Sequence, residues 1–83
     1  MNKQQLIQWL LLNDYHLEDG QYVFTYNAVR HWASIKDNSI RMYSIYEGTA
    51  GDEPIFDTGY VINPDAEFLN KMLSKSKELR WNG

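Results

Sequence analysis

The residues best placed to do chemistry are consecutive: Asp57-Thr58-Gly59, set inside the apolar run Ile55-Phe56 and Tyr60-Val61-Ile62. A carboxylate can serve as one half of an acid pair that shares a proton and activates water. With a single triplet, two copies of the chain would have to bring their Asp57 residues together across a two-fold axis. The other candidates are sparser. His16 and His31 are the only histidines and there is no cysteine. A metal site needs at least three converging ligands, and no short-spaced partner accompanies either histidine. No nucleophile, base and orienting group stand together. Gly48-Thr49-Ala50-Gly51 lacks the Gly-Lys-Ser/Thr of a phosphate loop, and Asp52 and Glu53 beside it would repel phosphate. The expectation is a protein that is not an enzyme and carries no cofactor and no metal.

The triplet resembles the catalytic loop of aspartic proteases, which implies a dimeric acid protease with Asp57 as its acid. The chain departs from that family where Tyr60 stands in place of the Ala or Ser that follows the glycine. A long C-terminal helix also has no place in the family's all-β fold. Alternation gives the other reading: Phe56, Thr58, Tyr60 and Ile62 on one face of a strand, Ile55, Asp57, Gly59 and Val61 on the other. Asp57 is then a strand residue facing solvent or a neighbouring arginine, and Gly59 marks a bulge or a close backbone approach.

The elements that would position these residues follow from pattern. Leu6, Ile7, Trp9, Leu10, Leu11 and Leu12 among Lys and Gln predict a helix over 3–12. Asp19-Gly20 is a turn signal, and Tyr22-Val23-Phe24-Thr25-Tyr26 predicts a strand over 21–26. Residues 28–36 fit a strand, although Val29, Trp32 and Ile35 also fall at helical spacing and Asn27 could cap a helix. Residues 39–46 are a strong strand, and Asp37-Asn38 before them tolerates a two-residue turn. That turn would pair Ile35 with Ile40, Ala33 with Met42, His31 with Ser44 and Val29 with Tyr46 on an apolar side. The other side would carry Arg30, Trp32, Arg41 and Tyr43. Glu47 to Pro54 is an acidic loop, and Asn63-Pro64 is read as the cap and first position of a helix over 64–79, with Phe68, Leu69, Met72, Leu73 and Leu79 as its stripe.

Eighty-three residues make one domain. Apolar content of 43% and charged content of 23% place it among globular chains rather than disordered ones. A net charge of −3 lacks the overall basic footprint of nucleic-acid binding. The N-terminal stretch reads as neither signal peptide nor membrane span, so a cytoplasmic protein with no membrane partner is expected.

The predicted fold class is therefore α+β, two-layered, with an antiparallel sheet of three to four strands between an N-terminal and a C-terminal helix. This α-β-β-β-α order resembles that of double-stranded RNA-binding domains, but Asn63-Pro64-Asp65-Ala66-Glu67 stands where that family has a basic cluster. With 28–36 as a helix, the order instead resembles a winged helix with its wing over 39–62. The constellation Arg30, Trp32, Arg41 and Tyr43, with the acidic Asp52 and Glu53, predicts a protein-binding surface. Two alternatives stay open: stacking of nucleic-acid bases on that face, and a helix that covers it and makes Trp32 and Tyr43 core. Short, acidic, cysteine-free chains of this kind look like inhibitors or regulatory accessory proteins of phages and mobile elements. An aromatic sheet face on so small a domain also admits a homodimer.

Overall fold

The computed structural model describes residues 1–48 and 53–80. Its elements run α1 (Lys3–Leu12), β1 (His16–Glu18), β2 (Gln21–Tyr26), β3 (Val29–Lys36), β4 (Ser39–Tyr46), β5 (Phe56–Ile62) and α2 (Ala66–Lys77). The strands form one antiparallel meander in the order β1-β2-β3-β4-β5. The α+β architecture is the expected one, with a short fifth strand, β1, added at the edge.

Turn chemistry sets the meander. Asp19 and Gly20 lie at φ 51° and 82° between β1 and β2, while Asn27 and Ala28 lie at 53° and 61° between β2 and β3. Paired left-handed residues match the right-handed twist of the strands they join. Residues 28–36 thus begin with a turn and continue as β3, which removes the winged-helix alternative. The β3–β4 register is the one that the Asp37-Asn38 turn dictates, with Ile35 opposite Ile40, Ala33 opposite Met42 and His31 opposite Ser44.

Both helices lie on the same sheet face. Leu6, Trp9 and Leu10 of α1 and Leu69 and Leu73 of α2 close a core over Phe24, Ala33, Ile40 and Met42, joined by Tyr15. Asn2 caps α1 with its side chain while Gln5 reaches back to the cap nitrogen, a reciprocal box that satisfies two otherwise orphaned donors. At α2 the expected start moves. Asp65, not Asn63, is the cap, accepting from the Phe68 N–H at 2.8 Å. Asn63 instead takes φ 49° to end the sheet, so Pro64 precedes the cap rather than following it. The helix begins at Ala66 and ends before Leu79.

The core contains one buried imidazole. His31, 1% exposed, stacks on Phe24 with ring centroids 4.6 Å apart, and its Nδ1 lies 2.9 Å from the Ser44 hydroxyl. Burial, together with the charge of Lys77 on α2, pulls its pKa down to about 4. Burial likewise pushes the Tyr15 phenol up, and among the described residues its hydroxyl has no hydrogen-bond partner.

Candidate protein-binding surface

The face opposite the helices carries the predicted constellation, assembled by register. Arg30 pairs with Ile45 and Trp32 with Tyr43 between β3 and β4, and β4 brings Arg41 alongside. No described helix covers them, so the covering-helix alternative does not hold. Trp32 and Tyr43 lie nearly parallel, 12° between planes and 6.4 Å between centroids. The Arg41 guanidinium sits 4.4 Å from the Tyr43 ring centre and that of Arg30 5.6 Å from the Trp32 ring, within the range of cation–π attraction. The result is a flat Arg30–Trp32–Tyr43–Arg41 row. Tyr43 fixes it further by donating its phenol proton to Gln21 Oε1 on β2, across the intervening β3.

Val23 belongs to this face as well. It pairs with both His16 and Trp32, hence shares their face, yet it is only 1% exposed. Among the described residues no helix lies on that side, and Trp32 is its cross-strand neighbour there. Trp32 and Tyr43 are half-buried on this face.

Each arginine already has an acidic partner. Arg41 donates to Asp57 through Nε at 3.0 Å and a terminal nitrogen at 2.7 Å, the two-pronged geometry that matches a guanidinium to a carboxylate. Arg30 lies 3.9 Å from Glu47. The hydrogen bonds from Arg41 hold the Asp57 carboxyl below the usual carboxylate range, with help from the Gly59 N–H. Sequence reasoning missed Glu47 and Gln21. The register of β2 and the end of β4 bring them in.

The Asp57-Thr58-Gly59 triplet turns out to be a bulge motif. Arg41 faces Tyr60 and Tyr43 faces Asp57, so Met42 is opposed by both Thr58 and Gly59. Gly59 adopts φ +65°, and an added Cβ would meet nothing within 4 Å. Conformation and not space therefore calls for glycine. At the bulge the Thr58 hydroxyl accepts the Met42 N–H at 3.0 Å. Asp57 Oδ1 accepts the Gly59 N–H at 2.9 Å. All three residues are thus engaged in shaping the strand. The extra residue also breaks the expected alternation. Asp57 and Tyr60 both point to the open face, with Ile62 opposite Ser39, whereas strict alternation separates Asp57 from Tyr60 and Ile62.

The remaining candidates lie apart. His16 is exposed on β1 beside Glu18 at 3.5 Å, and His31 is inside the core on the other face. Among the described residues no three His, Asp or Glu side chains group to hold a metal ion, and no helix is long and apolar enough to cross a membrane. Glu53 is exposed. Asp52 lies outside the described residues, as does Trp81. A groove of about 520 Å³ runs between the Asp37-Asn38 turn, Tyr60, Ile62 and Asn63. A separate group of exposed leucines, Leu11, Leu12 and Leu17, belongs to α1 and β1.

No family model matches this chain. Neither does any curated protein or solved structure. The functional reading rests on the surface alone.

Proposed function

We propose that this chain is a non-enzymatic protein-binding module, an inhibitor or regulatory accessory protein of the phage or mobile-element kind, that docks a partner protein on its open sheet face. One observation carries the reading: a row of Arg30, Trp32, Tyr43 and Arg41 held flat on a face that no described helix covers. Trp, Tyr and Arg are the residues enriched at protein-interface hot spots, the two aromatics because they offer large area at small entropic cost. Here their rotamers are held before any partner arrives by stacking, by the Tyr43–Gln21 hydrogen bond and by the Arg41–Asp57 pair, which lowers the ordering cost of binding. The bidentate Arg41–Asp57 pair and the acidic Glu47 beside Arg30, on a chain of net charge −3, favour a protein over a polyphosphate backbone. A cytoplasmic site of action belongs to the same reading.

The test is capture from an extract of the native host on immobilised chain, alongside Trp32→Ala and Tyr43→Ala. Partners retained by the parent and lost by both folded variants support the reading. Partners retained by both variants overturn the sheet face as the docking surface. Binding only to single-stranded oligonucleotide, collapsing with added salt, would establish the nucleic-acid alternative instead.

A further inference from the structure

β5 is the last strand of the sheet, and among the described residues no strand pairs with its outer side. Hydrogen-bond alternation shows which of its backbone groups are free. Asn63 N–H donates to Asn38 O at 2.9 Å, making that a bonded pair. In an antiparallel ladder bonded and non-bonded pairs alternate. Ser39–Ile62 is then non-bonded, Ile40–Val61 bonded and Arg41–Tyr60 non-bonded. The two-residue turn agrees, since Ser39 closes it against Lys36 on β3 and directs its own groups away from β5. The N–H and C=O of Tyr60 and Ile62 therefore project from the sheet edge.

Natural edges are protected by charge, proline, bulges or shortness. The first half of β5 has such protection in Asp57 and the Thr58-Gly59 bulge, and β1, at the opposite edge, is only three residues long. Tyr60-Val61-Ile62 has neither charge nor proline. Its two open-face side chains are 52% and 76% exposed and wall the groove beside the Asp37-Asn38 turn.

We propose that this edge pairs with a second copy of the chain, β5 against β5 in antiparallel register about a two-fold axis at Val61. The same strand supplies both requirements, an uncharged extended segment and a free edge. Centring on Val61 sets Tyr60 opposite the partner's Ile62, and every outward N–H of these residues meets an outward C=O. Residues with inward-directed groups fall at the non-bonded position, as the alternation demands. Tyr60 also gains an apolar cross-strand neighbour. A two-fold axis perpendicular to the sheet keeps both open faces on one side, so the dimer presents the Arg30–Trp32–Tyr43–Arg41 row twice on one continuous sheet. The contact is short, below the ~1,000 Å² of a stable interface, so dimerisation is expected only at high protein concentration.

Sedimentation equilibrium from about 10 µM to 1 mM, with backbone amide exchange at both ends of the range, tests this on the full chain. The expected result is a monomer–dimer equilibrium in which the Tyr60 and Ile62 amides gain protection only at high concentration. Ile62→Lys should abolish it through charge. Ile62→Pro should abolish it by removing a donor that the intrachain ladder does not use. Leu12→Lys, on the exposed leucine group, should leave it intact. A monomer throughout the range, or a dimer that survives both Ile62 variants, overturns the proposal. Trp32→Ala should still dimerise, so this result stands or falls separately from the partner-binding reading.

Discussion

Protonation of the core imidazole is the perturbation whose size follows most directly from the structure. His31 is enclosed between Phe24, Ser44 and the region of Lys77, its Nε2 without a partner among the described residues, and its pKa falls from 6.5 to about 4. In the unfolded chain it returns to its ordinary value. Between those values the unfolded state binds a proton that the native state refuses, so stability falls as pH falls. The contribution is complete above about pH 7, declines through 6.5 toward 4, and is flat below 4, where both states are protonated. The full gap corresponds to about 3 kcal/mol, and about 2 kcal/mol is lost between pH 8 and pH 5. Asp57 acts elsewhere: its lowered pKa contributes stability that is lost only below the ordinary carboxylate range. Urea unfolding at closely spaced pH values should therefore show a decline of about 2 kcal/mol down to pH 5. The double variant His31→Phe/Ser44→Ala keeps a flat ring against Phe24, leaves no hydroxyl stranded, and should flatten the curve. NMR titration of the His31 ring in the parent chain gives the constant directly. A ring that titrates at 6 or above, or a double variant with an unchanged slope, would refute the reasoning.

Two backbone predictions follow from the positive φ angles. Ala28 holds φ 61° in the β2–β3 turn, where a Cβ costs ~1–2 kcal/mol; Ala28→Gly should stabilise by about 0.5–1 kcal/mol after the added chain entropy, raising Tm by roughly 3–6 °C in thermal unfolding. Gly59→Ala should cost ~1–2 kcal/mol from its φ of +65° alone, since the added methyl meets nothing; a loss beyond ~4 kcal/mol would mean that space, not conformation, reserves the site for glycine.

Where neighbours in sequence decide the structure, the chain is readable. Asp37-Asn38 fixes the pairing of two strands to the residue, and with it the division between a face of Val29, His31 and Ala33 and one of Arg30 and Trp32. The capped C-terminal helix is equally plain, although two capping residues lie near its start and only tertiary placement chooses Asp65 over Asn63. β1 is harder to see, because His16-Leu17-Glu18 has little strand propensity and exists through pairing with β2; the signal was the Asp19-Gly20 turn, which needs a strand on each side. Alternation along β5 fails at one residue because a bulge costs a register step, and Gly59 within a strand was its mark. Which face the helices cover is not local information, since both faces of β3 and β4 carry apolar side chains. That choice decides whether Trp32 and Tyr43 are core or surface.

The central claim, that the open sheet face binds a protein, is tested most directly by the affinity of a captured partner for three chains. These are the parent, Trp32→Ala in the middle of the row, and Leu12→Ala on the exposed leucines of α1. Trp32→Ala should weaken binding roughly 30-fold or more, the effect of losing a central aromatic anchor, and Leu12→Ala should leave it unchanged. Unchanged affinity for Trp32→Ala with loss at Leu12→Ala would contradict it and move the binding surface to the helices.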